Sequence, residues 1–347
     1  MNQTGPAHPR RRVGDRLRVV MRSRAVGGPA ASCLPFRPRP RLPPAWLGPR
    51  CPPGHACPTH RRPPLGLVDA HHFTDSVTAV IGASHVHRQP GFSLRLDWGP
   101  TGATAVGVGC DVAVVVDVLS FTTTLTVAAD RGTIVFPYRW RDESAVRYAD
   151  ERDAVLAVGR SQAIDGQVSL SPATIRAADD LPRLVLPSPN GSAISFQLAQ
   201  SANSVIGVSL RNRRAAADWL LRRRESTPDL AVAIIAAGER WPDGSLRPAV
   251  EDLWGAGALV TALRAEGWAG ISPEAEAAGA GYDAVAGAVP EALHRCASGL
   301  ELISAGFSDD VVTAAQLDQS TAVPLLDEDV FRSTRGFSKA PAARGAR

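Results

Sequence analysis

Val112-Ala-Val-Val-Val-Asp117-Val-Leu-Ser120-Phe-Thr122-Thr123-Thr124 is a run of β-branched apolar residues that ends in one carboxylate and opens at once into a cluster of hydroxyls. An apolar run of that length, followed by turn chemistry, predicts a strand buried on both faces of a parallel sheet. A helix beginning near Thr122 would turn its unpaired N–H groups and positive dipole end toward Asp117. Such a carboxylate suits a metal ion while the helix end suits a phosphate, and open α/β sheets place their ligands at that edge. A buried strand whose Asp merely caps the following turn satisfies the same residues.

The pattern recurs on both sides of this segment. Strands are predicted at 112–119, 133–137, 154–158, 183–186, 204–208, 231–236 and 322–325. Helices are predicted at 122–131, 143–152, 192–202, 213–224, 249–266, 273–289, 299–305 and 309–317. Strands alternating with helices imply βαβ units, hence a three-layer α/β fold whose mainly parallel sheet carries helices on both faces. The Ala- and Gly-rich stretch at 274–290 suits a helical insert or cap. The α/β domain is expected over 75–330, with two subdomains left open, and a Pro/Arg/Gly tail over 331–347.

Residues 1–70 are of another kind. They hold 13 Arg, no Lys and two acids, a net charge of +11, together with 14 of the 28 Pro. The remaining residues carry a net charge of −7, so the basic balance belongs to the leader and marks no basic face on the domain. A segment so poor in apolar residues cannot offset its ordering entropy, and 1–74 is expected to be a disordered Arg/Pro-rich extension. Nucleic-acid binding would want aromatic interleaving that the leader lacks. Zinc binding by Cys51, His55, Cys57 and His60 would want a second paired half. A targeting peptide would want an apolar core longer than Val19-Val-Met. One Lys against 37 Arg suggests a GC-rich genome, where the leader reads as an upstream extension of the reading frame.

No stretch approaches the ~18 consecutive apolar residues of a membrane span. Only Cys110 and Cys296 lie in the domain, which implies no disulfide framework and fits a reducing cytoplasm. Neither a Gly-x-x-x-x-Gly-Lys-[Ser/Thr] nor a Gly-x-Gly-x-x-Gly motif occurs, which counts against nucleoside triphosphates and dinucleotides. His294 is the only histidine beyond residue 87, so a Ser/His/Asp triad has no support and base work falls to carboxylates or metal-bound water.

Three further places put polar residues after an apolar strand or at a helix start. In Leu186-Pro-Ser188-Pro-Asn190-Gly191-Ser192 an Asn-Gly pair can turn successive N–H groups inward as an anion-binding concavity, or form an ordinary turn with a Ser cap. In Gly238-Glu239-Arg240-Trp-Pro-Asp243…Glu251-Asp252, carboxylates crowd one strand–loop–helix unit. Hard oxygen ligands of that kind suit Mg²⁺, although acids in a first helical turn also answer the helix dipole. Arg295-Cys296-Ala-Ser298-Gly299 places small residues ahead of a helix; a cysteine-phosphatase loop would need Arg where Leu302 stands.

With these motifs in order, the chain resembles the 2-phosphosulfolactate phosphatase family over about residues 92–328. The matching pieces are Asp117-Val-Leu…Thr-Thr-Thr, the Asn190-Gly191 turn, Gly238-Glu239-Arg240, Glu251-Asp252-x-x-x-Ala-Gly257, Ser298-Gly299 and the closing Asp318…Val323-Pro-Leu. The resemblance implies a Mg²⁺-dependent acid phosphate-ester hydrolase that removes phosphate from (R)-2-phospho-3-sulfolactate, a step toward coenzyme M. Two positions depart from the family pattern: Ser120-Phe121 replaces Arg-Ala, and Leu300 replaces Arg. Each departure removes a guanidinium suited to an oxyanion pair. Arg211, Arg240 and Arg247 are the candidate substitutes.

The expected metal set is Asp117, Glu239, Glu251 and Asp252, with Mg²⁺ as cofactor. Asp117, Glu239 and Arg240 are the expected catalytic residues. Ser120, Thr122, Thr123, Asn190, Gly191, Ser192, Arg211, Ser298 and Gly299 are expected to hold a small phosphorylated organic acid. No nucleic-acid or membrane partner is expected of the domain, and homo-oligomerisation is left open. The rival reading is a catalytically silent small-anion-binding protein on the same fold.

Overall fold

A computed structural model describes residues 85–140 and 142–334. The expectations for 1–74, and those for the tail beyond 334, fall outside the described residues. Eleven strands occur among them: β1 (Leu94–Trp98), β2 (Val112–Val116), β3 (Ile134–Tyr138), β4 (Val155–Leu156), β5 (Arg183–Pro187), β6 (Ser204–Val208), β7 (Val232–Ala236), β8 (Glu239–Arg240), β9 (Leu246–Arg247), β10 (Pro324–Asp327) and β11 (Val330–Ser333). The helices are α1 (Gly99–Val106), α2 (Phe121–Asp130), α3 (Glu143–Asp150), α4 (Pro172–Ala177), α5 (Gly191–Leu198), α6 (Arg213–Ser226), α7 (Val250–Ala265), α8 (Pro273–Asp283), α9 (Val289–Arg295), α10 (Ala297–Ser304) and α11 (Ser308–Ala314).

Nine strands form one sheet in the order β1-β7-β2-β6-β10-β11-β3-β5-β4, and β8 pairs with β9 as a separate hairpin. The sheet is mainly parallel, as expected, but it has two parallel halves. In one, β1, β7, β2 and β6 run together; in the other, β3, β5 and β4 do. The hairpin β10–β11 lies between them through three successive antiparallel pairings. The halves therefore run in opposite senses along the sheet, and in a flat sheet their carboxyl ends would lie at opposite edges. Five strand steps separate β2 from β5, about 24 Å if flat. Yet the Gly191 N–H, just after β5, bonds the Asp117 carboxylate, just after β2. Accumulated twist of about 20–25° per strand, with curling of the sheet, brings the two carboxyl ends together.

Period-two alternation sends the two faces of β2 into two cores. Val112, Val114 and Val116 pack with Ile234, Leu220, Leu259 and Leu263, beneath α6 and α7. Ala113 and Val115 pack with Leu125, Ile194, Leu198, Ile235 and Phe331, beneath α2 and α5. Every residue of β2, β6 and β7 is buried, which is why these strands read as apolar runs broken only by Ser204 at the start of β6. The Ala- and Gly-rich stretch proves to be packing surface: a Cβ on Gly257 of α7 would lie 2.0 Å from the Ala278 carbonyl of α8, so the two helices meet backbone to backbone.

Four departures from expectation have physical reasons. The half-polar strand β1 has β7 as its one neighbouring strand at the sheet's end, with a single bridge from Leu94 to Ile271 on its other side, so its apolar signal is weak. Helix α1, rich in Gly and Thr, holds through burial of Ala103 and Val106 rather than through propensity. The predicted helix 273–289 ends at Asp283, and α9 starts afresh with Pro290 in its first turn, where a missing N–H costs nothing. Strand β11 runs into the segment assigned to the tail, with Phe331 packed edge-on against Phe121 at 6.2 Å.

Candidate active site

A cleft of about 170 Å³ lies where the carboxyl ends of the two halves meet, lined by Asp117 and Glu239 from one half and by Ser188, Asn190 and Arg160 from the other. Ser120, Phe121, Thr124 and Leu170 complete its wall and floor.

Asp117 is buried and held at both oxygens: Oδ1 accepts from the Phe121 N–H at 3.0 Å and Oδ2 from the Gly191 N–H at 3.1 Å. The first bond spends an orphan donor of the α2 N-terminus, and the Thr122 N–H goes to the Asp117 carbonyl at 2.8 Å. A Cβ on Gly191 would lie 2.2 Å from Phe121 Cδ1 and 2.9 Å from Asp117 Oδ2, so only glycine lets the β5 turn approach this closely. Asn190 then reaches across, its Nδ2 donating to Glu239 Oε2 at 3.2 Å. Asp117, Asn190, Gly191 and Glu239 thus form one hydrogen-bonded group drawn from both halves.

Burial sets the electrostatics. It pushes the Glu239 carboxyl up to about 7, repulsion from Asp117 adds to the effect, and Arg247 opposes it. It pushes Asp117 up to about 6, against the two N–H bonds and the charge of Arg160. Asp252 is raised well above the ordinary carboxylate range by burial, then by repulsion from Asp117 and Glu251. Asp117 and Glu239 at the cleft, with Glu251 and Asp252 buried behind them, repel one another and make an environment that a cation relieves.

The acids nevertheless divide by what their oxygens touch. Asp252 Oδ1 accepts from the Val118 N–H at 2.7 Å and Oδ2 from the Gly238 N–H at 2.9 Å, tying the loop after β2 to the loop after β7. It does not line the cleft, and neither does Glu251, which is buried beside the Cys296 thiol. Among the described residues no three His, Cys, Asp or Glu side chains gather closely enough to cage an ion. The expected four-carboxylate metal set therefore contracts to Asp117 and Glu239, a set that fits Mg²⁺, since that ion takes one or two carboxylates with water and phosphate oxygens.

Other expected site residues stand elsewhere. The Thr122 and Thr123 hydroxyls bond the carbonyls of Asp117 and Val118, both at 2.8 Å, and fasten the start of α2 without lining the cleft. Ser192 is fully buried and donates to the Leu186 carbonyl. Arg240 is exposed and bonds the Gly244 carbonyl, because alternation along β8 sends it and Glu239 to opposite faces. Arg211 is drawn to Asp130 at the far end of α2, at 3.1 Å. Ser298 accepts from Arg247 at 3.2 Å outside the cleft, and a Cβ on Gly299 would lie 1.9 Å from the Leu293 carbonyl, a packing role. Leu300 is exposed.

Sequence reasoning missed Ser188, Thr124 and, above all, Arg160. The signal for Arg160 was present: Gly159-Arg160 follows an apolar strand, the arrangement that singled out Asp117. A two-residue strand made it faint.

Comparison with known proteins places the chain in one family. The family model described as 2-phosphosulpholactate phosphatase matches residues 106–329. A probable 2-phosphosulfolactate phosphatase of Thermus thermophilus is 35% identical over 62% of this chain and 88% of its own length. One of Synechococcus is 33% identical over 65% of this chain and 92% of its own, and one of Deinococcus radiodurans 28% identical over 62% and 88%.

Proposed function

From the chain's membership of the 2-phosphosulpholactate phosphatase family, we propose that it hydrolyses the phosphate monoester of a small organic acid, with 2-phosphosulfolactate as substrate and Mg²⁺ as cofactor. The observation that carries the reading is the one cleft lined by Asp117, Glu239, Asn190 and Arg160. An ion held by Asp117 and Glu239 would neutralise charge on the phosphoryl oxygens and acidify a bound water.

The residues divide the remaining work. Asp117, fixed by two N–H bonds, supplies an oxygen whose position is set before substrate arrives. Asn190 Nδ2 offers a donor to a phosphoryl oxygen, at the cost of its bond to Glu239. Glu239, with its carboxyl near 7, is suited to take a proton from water or return one to the departing alkoxide. No leaving-group histidine is needed.

The test is phosphate release from 2-phospho-3-sulfolactate with and without Mg²⁺, using wild type, Asp117→Asn and Glu239→Gln. Metal-dependent turnover lost in both variants supports the reading. Binding of the product acid without turnover, under any divalent cation, would favour the silent anion-binding protein instead.

A further inference from the structure

The cleft's polar lining falls into two hydrogen-bonded groups. Asp117, Asn190 and Glu239 form the first, which the proposed chemistry uses. The second is built on Arg160. Its Nε donates to Asp310 Oδ2 at 2.7 Å, and its Nη2 donates to the Ser120 hydroxyl. Asp310 is itself almost fully buried and accepts from the Ser171 hydroxyl as well. Ser120 and Thr124 both donate to the Leu170 carbonyl, so the floor of this half of the cleft is one connected network. Arg160 is the single cation among the residues lining the cleft, and no protein hydrogen bond is made by its Nη1 among the described residues.

An anchored guanidinium in the same cleft as two carboxylates has a clear use. The carboxylates repel any anion unless a cation intervenes, so the one cationic lining residue is the group suited to hold whatever negative charge the substrate carries besides its phosphoryl group. A planar fork fixed at two of its three nitrogens is preorganised for a pair of acid oxygens. Resting on the phosphatase reading above, we propose that Arg160 is a specificity-determining residue, which grips the acid group the substrate keeps after losing phosphate. Ser120 sets the direction of that grip by holding Nη2.

A substrate series tests this. Wild type, Arg160→Gln, Arg160→Lys and Ser120→Ala are compared on 2-phospho-3-sulfolactate, on 2-phospholactate, which lacks the sulfonate, and on phenyl phosphate, which lacks both acids. Arg160→Gln is expected to raise KM for 2-phospho-3-sulfolactate on the order of 10- to 100-fold, with a rise for phenyl phosphate at least about fivefold smaller. Arg160→Lys should recover part of the loss, and Ser120→Ala should show a weaker form of it. A penalty that persists on 2-phospholactate assigns the grip to the carboxylate; one that disappears there assigns it to the sulfonate. An equal KM rise on all three esters, or none on any, overturns the proposal. If wild type releases phosphate from none of them, the phosphatase reading fails separately. Calorimetric titration of 3-sulfolactate then decides on Arg160, since equal affinity for wild type and Arg160→Gln sinks it. Thermal melts of each variant exclude misfolding, and Ser120→Ala, which leaves the Arg160–Asp310 pair whole, carries the test if Arg160→Gln does not fold.

Discussion

The two parallel halves of the sheet are built alike and used differently. From the half containing β2 and β7 come the acids, Asp117 and Glu239; from the half containing β5 and β4 come an amide and a guanidinium, Asn190 and Arg160. Each residue stands within four positions of the carboxyl end of its strand, with Glu239 in the short β8 that follows β7. What differs is charge. A cleft assembled from one half alone would repel its ligand or bind it without chemistry, and their junction supplies both functions.

A second contrast lies inside the acidic half. Asp117 and Asp252 are both buried, and each binds two backbone N–H groups, but only Asp117 also lines the cleft. Asp252 is a tie between two loops. A count of carboxylates therefore overstates how many acids the cleft offers to a ligand.

The largest expected effect tests the acidic half. Asp117→Asn keeps the shape but places an N–H₂ against an N–H donor, and kcat should fall on the order of 10³-fold with thermal stability falling less than for Asp252 variants. Asp252→Ala should do the opposite. Stranding the buried Val118 and Gly238 N–H groups should cost about 2–4 kcal/mol in denaturant unfolding, while turnover per folded molecule drops less than roughly tenfold. If Asp252→Ala folds normally and loses turnover as Asp117→Asn does, the distinction between the two aspartates fails.

Gly191→Ala probes the junction of the halves. Its methyl would collide with Phe121, and we expect about 1–3 kcal/mol of lost stability with KM and kcat both worsened. The smallest effect concerns pH. The fold holds protons on Glu239 and Asp117 more tightly than the unfolded chain does, so this contribution to stability is complete at low pH and declines as pH rises from about 4.5 to about 7. Glu239→Gln removes part of that decline. Without metal it should melt a few degrees above wild type at pH 8 and alongside it near pH 4.5.

Much of the fold was legible because burial on both faces writes itself into sequence. Strands β2 and β7 are apolar throughout and β6 is so after its first residue, Ser204, and the readings at 112–119, 204–208 and 231–236 match them closely. Asp117, Asn190, Gly191 and Glu239 were legible for a related reason: polar residues immediately after such a run have the strand's carboxyl edge as their address. The hydroxyls of Thr122, Thr123 and Ser192 were read as ligands for phosphate, but they bond nearby carbonyls within their own strand–helix units. Sequence spacing cannot separate those two uses, because a short hydroxyl beside a turn reaches backbone as readily as ligand. Arg211 was misplaced because a long side chain can reach either way from its turn, and Asp130 decided the direction.

By itself, then, the order of residues determined which segments become strands and which polar groups stand at their ends, since those outcomes depend on neighbours a few positions away. Tertiary structure alone decided that the ends of two oppositely running halves meet. That meeting depends on twist and curl summed over five strand steps between β2 and β5, to which every intervening pairing contributes and which no single segment encodes.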